Sequence, residues 1–147
     1  MRILPDNDVL VYTIRAHQPD KIIIGGGPIL NNGKQGELAS ESSIKKVVPL
    51  QTLAHNFIIT PRVLINDWPV QTIETLSSEH IKQIVALSPE MILLGTGNQL
   101  HWPSPHLLSE SINNGIGIDI MTTAAACRTY NILTYEGRNV AAALIVN

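Results

Sequence analysis

The chain has 147 residues, 10 basic and 12 acidic side chains, and a formal net charge of −2. That length suits one domain able to bury roughly 68–70% of its unfolded surface, and 44% hydrophobic against 15% charged residues excludes a disordered chain. The near-neutral balance and the 4% aromatic content exclude the basic face and the stacking platforms of a nucleic-acid binder.

Cys127 is the only cysteine, so neither an intrachain disulfide nor a multi-cysteine zinc site can form. The opening residues Met1 to Asp6 lack the apolar core of a secretory signal, and the early acids oppose a mitochondrial presequence. The longest apolar run, Val140 to Val146, falls well short of the ~20 residues that cross a bilayer. The expectation is a cytoplasmic protein without a membrane span; a homo-oligomer stays compatible with the composition.

Residues 1–147 read as one α/β domain in two differently patterned halves. In the first, Val9 to Ile14 and Lys21 to Ile24 are β-branched runs flanking the turn-type cluster Ala16 to Asp20, a hairpin signature. A second extended pair runs Asn56 to Ile59 and Arg62 to Ile65. The stretch 25–54 between them reads as an insertion of hairpin or loop character. It opens on Gly25, Gly26 and Gly27, carries the hairpin dipeptide Asn32-Gly33, and stays polar until Ile44 to Val48.

From Ile73 the pattern alternates between helix and strand. Ser77 is placed to cap a helix with Leu76 and Ile81 as a hydrophobic staple, Ile81, Ile84, Val85 and Leu87 as its stripe, and Pro89 as its stop. Met91 to Leu94 reads as a strand covered on both faces, closed by Gly95-Thr96-Gly97. Ser104-Pro105 opens a second helix with Leu107, Leu108 and Ile112 inward and Asn114-Gly115 as its end. Ile116 to Met121 is the next strand. A third helix starts near Thr122 or Thr123 and ends at Glu136-Gly137, and Val140 to Ile145 is a last strand. Short connections imply right-handed crossovers, so this βαβαβ half predicts three parallel strands in one mixed central sheet, with antiparallel strands added by the first half in a three-layer domain.

In such a sheet, ligands bind beyond the carboxyl ends of the strands. Gly95, Thr96, Gly97, Asp119 and Thr123 converge on that rim, with the start of the third helix. Glycines let a backbone approach a ligand, and a helix start offers unpaired N–H groups; the alternative is a tight turn followed by a Thr122 or Thr123 cap. Nucleotide motifs fail. Gly33-Lys34 is followed by Gln35 and has Pro28 where a Walker glycine belongs, and the Gly95 to Leu100 stretch lacks the third glycine of a dinucleotide fingerprint.

Cys127 lies past the first turn of its helix among alanines, which marks a buried structural thiol rather than a nucleophile. Arg128 interrupts this small-residue stretch. Buried, it would need Glu136, Asp119 or Glu90; exposed, it could clamp an anion. The histidines lack ligand spacing, so no metal or other cofactor is expected. Trp68 and Trp102, each beside a proline, are candidate exposed interface anchors.

The segments Pro89 to Gly97, Gly115 to Met121, Thr123 to Leu133 and Glu136 to Arg138, with Ile58 to Pro61 and Asp67 to Val70, resemble a family of small α/β domains of unknown function found in bacteria, archaea and mitochondria. Its mitochondrial members include an assembly factor for respiratory complex I, and a vertebrate relative is linked to adipogenesis. The resemblance implies a three-layer fold with a mixed sheet, supplies no reaction, and carries over Gly95, Thr96, Gly97, Asp119, Thr123, Arg128, Asn131 and Gly137. The chain departs from the pattern in a longer 25–54 stretch and in Thr122, where an aspartate is common. The resulting expectation is a non-catalytic interaction or assembly-type protein acting on another protein. The alternative is an enzyme or small-molecule binder using the rim and Arg128.

Overall fold

The computed structural model describes residues 11–27 and 50–146. The expectations for Val9, Leu10, Asn32-Gly33 and Ile44 to Val48 lie outside those residues.

The first hairpin forms as strands β1 (Tyr12–Gln18) and β2 (Lys21–Gly26), with Pro19-Asp20 as its turn. The turn is tighter than the sequence suggested, because Ala16, His17 and Gln18 continue the ladder beyond a register shift between Ile14 and Ala16. A further strand, β3 (Leu50–Leu53), pairs antiparallel with β2, so the described residues at both ends of the 25–54 stretch lie in strands. Together they make a three-stranded antiparallel sheet.

The remaining strands are β4 (Phe57–Ile59), β5 (Leu64–Ile65), β6 (Met91–Gly95), β7 (Gly117–Met121) and β8 (Val140–Leu144). They form a five-stranded sheet in the order β5-β4-β8-β6-β7. The three expected parallel strands stand side by side in it, β8 and β7 flanking β6, while β4 runs antiparallel to both β5 and β8.

Successive side chains of a strand point to opposite faces, and the cores follow that period. Phe57, Ile59, Leu93, Val140, Ala142 and Leu144 face helix α3 (Thr123–Tyr135) and the β1–β3 sheet. Ile58, Ile92, Leu94, Ala141, Ala143 and Ile145 face the other way, toward helices α1 (Ser78–Val85) and α2 (Pro105–Asn113). The three-layer α/β domain is therefore as the sequence implied.

Helix ends follow local chemistry. Ser77 caps α1 in a reciprocal box in which His80 replaces the usual acid or amide, its Nδ1 accepting from the Ser77 N–H at 3.0 Å. Gly137 ends α3 at φ +82°, which a glycine adopts without steric cost. One helix face differs from the expectation. Ile112 is 62% exposed, and Ser111 is fully buried in its place. The inward line of α2 runs from Leu107 one turn on to Ser111, whose hydroxyl donates to the Ile116 carbonyl at 2.6 Å and so tolerates burial.

Candidate functional site

The carboxyl ends of the parallel strands do meet. Gly95 of β6 is in register with Met121 of β7 on one side and Leu144 of β8 on the other. The start of α3 rests directly on Gly95, where an added Cβ would stand 2.9 Å from Thr123 Oγ1 and 3.0 Å from Thr123 Cα. Only a glycine admits that approach.

Thr123 is fully buried and works as a knot between two strand ends. Its hydroxyl donates to the Ile145 carbonyl at 2.6 Å and accepts from the Gly97 N–H at 2.8 Å. Its own N–H donates to the Gly97 carbonyl at 3.0 Å. Gly97 sits at φ +103°, a conformation that side chains rarely adopt. Thr96, 3% exposed, donates from its hydroxyl to the Gln99 carbonyl at 2.7 Å and accepts from the His101 N–H at 3.1 Å, closing the loop on itself. The cap of α3 is Thr122, accepting from the Ala125 N–H at 3.3 Å. The polar side chains of Thr96 and Thr123 are thus satisfied by neighbouring backbone, and the N–H groups of Thr123 and Ala125 at the start of α3 are already used.

Asn131 acts elsewhere. Its amide accepts from the Ile14 N–H at 2.9 Å and donates to the Ile14 carbonyl at 2.7 Å, so α3 pairs with the outer edge of β1 as another strand would. Tyr130 adds a hydroxyl donated to the Tyr12 carbonyl at 2.8 Å. Nothing at the sequence level links positions so far apart.

Asp119 and Arg128 are both exposed. The ion pairs among the described residues are Glu79 with Lys82 and Glu90 with Arg138, so the reading of Arg128 as buried beside a carboxylate is overturned. Arg128 lies off the buried line of Ala126, Cys127 and Tyr130 on α3, and its exposed charge is solvated. Arg128→Ala should therefore leave stability within ~0.5 kcal/mol of wild type in a urea melt. A loss of several kcal/mol would restore a buried partner.

Cys127 is buried, 4% exposed, and desolvation pushes its thiol up to about 12, against a smaller opposing effect of Arg128. Below that pH the thiol stays protonated, and the thiolate is the nucleophile. Iodoacetamide at pH 7.5 should alkylate the native protein far more slowly than a free cysteine, and denaturation should abolish the protection.

The two tryptophans separate. Trp68 is 4% exposed and packs with Val70, Ile73, Leu76 and Ile81, its ring edge-on to His80 at 6.4 Å, so it is core and not an interface anchor. Its proline neighbour suggested a loop, but the loop folds under α1. Trp102 is 67% exposed. It stands at the lip of a cleft of about 540 Å³ between the starts of α1 and α2, lined also by Ile73, Leu76, Pro103 and Leu107. Among the described residues no group of three or more His, Cys, Asp or Glu is placed to hold a metal ion. No helix among them is long and apolar enough to cross a membrane.

Residues 41–145 match the family model described as protein of unknown function (DUF498/DUF598). The chain belongs to that family. A solution structure from Xanthomonas campestris superposes with a TM-score of 0.69 at 36% identity, covering 92% of this chain and 84% of that one. A protein of Francisella tularensis subsp. holarctica, named 13 kDa major membrane protein, is 34% identical over 52% of this chain and 62% of its own length. NADH dehydrogenase (ubiquinone) 1 alpha subcomplex assembly factor 3 of Mus musculus is 32% identical over 64% of this chain and 54% of its own length. The matched part thus amounts to between half and two thirds of each of these two curated relatives.

Proposed function

We propose that this DUF498/DUF598 member is a non-catalytic interaction protein of the assembly type, acting on another protein. The observation that carries this reading is the state of the rim. Of the groups best placed to bind a small molecule, Gly97 and Thr123 hold the strand ends together with their own hydrogen bonds, and Thr96 closes the loop that follows. A catalytic group needs a free, positioned atom, and none of these three offers one. The similarity to assembly factors named for NADH dehydrogenase adds support for a protein partner. Trp102 is a side chain of the type that anchors interfaces, and it is exposed beside a cleft of mixed polar and apolar lining. The cytoplasmic setting expected from the sequence belongs to the same reading.

The test is a comparison of wild type and Trp102→Ala by cross-linking in intact cells followed by denaturing purification. The reading expects a discrete protein partner joined to wild type and depleted in the variant. It fails if no protein is joined to either form while a metabolite screen raises the melting temperature of both, which would favour a small-molecule binder.

A further inference from the structure

Strand β7 closes one side of the five-stranded sheet, and no other strand of the described residues pairs with its outer edge. Which backbone groups that edge carries follows from the ladder. Thr96 N–H donates to the Met121 carbonyl at 2.9 Å, and Met121 is in register with Gly95. In a parallel pair, residues that turn both N–H and C=O toward the neighbour alternate with residues that turn them away. Gly117, Asp119 and Met121 therefore face β6, while Ile118 and Ile120 direct their N–H and C=O groups outward.

The side chains on this strand are equally informative. Ile118 and Ile120 are half-buried and lie on the α1 and α2 side of the sheet, so each leaves apolar surface uncovered beside the free edge. Asp119 points to the opposite side, exposed, and outside the ion pairs of the described residues. Among the described residues that side is open, since a Cβ on Gly117, which shares it, would meet none of their atoms within 4 Å.

An unpaired edge of this kind is a template for another strand. A second copy of β7 is a poor occupant. The antiparallel register that uses both Ile118 and Ile120 sets Asp119 opposite its own symmetry mate, and like charges directly across a ladder repel. The geometry points to a different strand. We propose that the β7 edge takes up, by strand addition, an extended segment of a partner protein patterned apolar–basic–apolar. The flanking apolar side chains cover Ile118 and Ile120, and the central Lys or Arg pairs with Asp119. This deepens the interaction-protein reading by naming a surface and a partner chemistry. It makes no use of Trp102, so the two can fail separately.

The test uses two capped peptides, Thr-Val-Lys-Val-Thr and Thr-Val-Glu-Val-Thr, titrated into the isotope-labelled protein with amide shifts and exchange rates followed by NMR. The expected result is slowed exchange at Ile118 and Ile120 with the lysine peptide. The amides of Gly117 and Asp119, already donated to β6, should change little. The glutamate peptide should bind about fivefold or more weakly, and Asp119→Lys should reverse the preference between the two. Equal affinities, shifts centred on the α1–α2 cleft, or unchanged exchange at Ile118 and Ile120 would overturn the proposal. So would concentration-dependent protection of those amides without peptide, which would assign the edge to a second copy.

Discussion

Tyr130→Ala should be the most damaging single change in the described fold, lowering stability by about 3–5 kcal/mol. Tyr130 is the largest fully buried side chain among the described residues, and it sits where α3, the β1–β3 sheet and the main sheet share one core. Removing the ring opens a cavity that rigid strands on two sides cannot close. Tyr130→Phe separates the two contributions. It keeps the ring and loses only the hydroxyl that donates to the Tyr12 carbonyl, so it should cost about 1–2 kcal/mol. Urea midpoints at constant slope give both values. A loss under about 1 kcal/mol for the alanine variant would mean that α3 is not the common wall of the two sheets.

Thr123→Val should cost about 2–4 kcal/mol although the two side chains have nearly the same shape. The lost hydroxyl leaves the Gly97 N–H and the Ile145 carbonyl unpaired beside a fully buried position. Thr123→Ser keeps the hydroxyl and removes one methyl, so its cost should stay near 1 kcal/mol. That order, valine worse than serine, distinguishes a hydrogen-bond knot from simple packing. If serine were the worse of the two, the methyl and not the hydroxyl would be holding the strand ends.

The C-terminal half was legible because its signals are local. Four apolar residues before Gly95, the Ser104-Pro105 pair and Gly137 each mark an element boundary by their own backbone preference, and short connections leave few topologies. The convergence of Gly95, Gly97 and Thr123 followed from the same topology. What these residues do there did not, because a glycine that admits a ligand and a glycine that admits a threonine are the same letter. Strand β3 was lost for a related reason. Leu50 to Leu53 is four residues with Gln51 and Thr52 at its centre, and only pairing with β2 makes it a strand.

Trp68 and Trp102 show the limit most plainly. Both adjoin a proline in a loop, yet one is 4% and the other 67% exposed, since burial depends on which loop folds under α1. Asn131 is similar: its amide pairs with Ile14 across a sequence separation of 117 residues, beyond any local pattern. The β7 edge was not visible either, because being last in a sheet is a property of strand order and not of the strand.

Native-state amide exchange at Gly97 and Thr123 tests the central claim most directly, namely that the strand-end rim is closed by its own hydrogen bonds. Both N–H groups are donated within the rim, to Thr123 Oγ1 and to the Gly97 carbonyl. The account predicts that they exchange only through opening reactions whose free energy approaches that of global unfolding. Exchange within about tenfold of the free-peptide rate at either amide would contradict it, because the rim would then be open and able to receive a ligand.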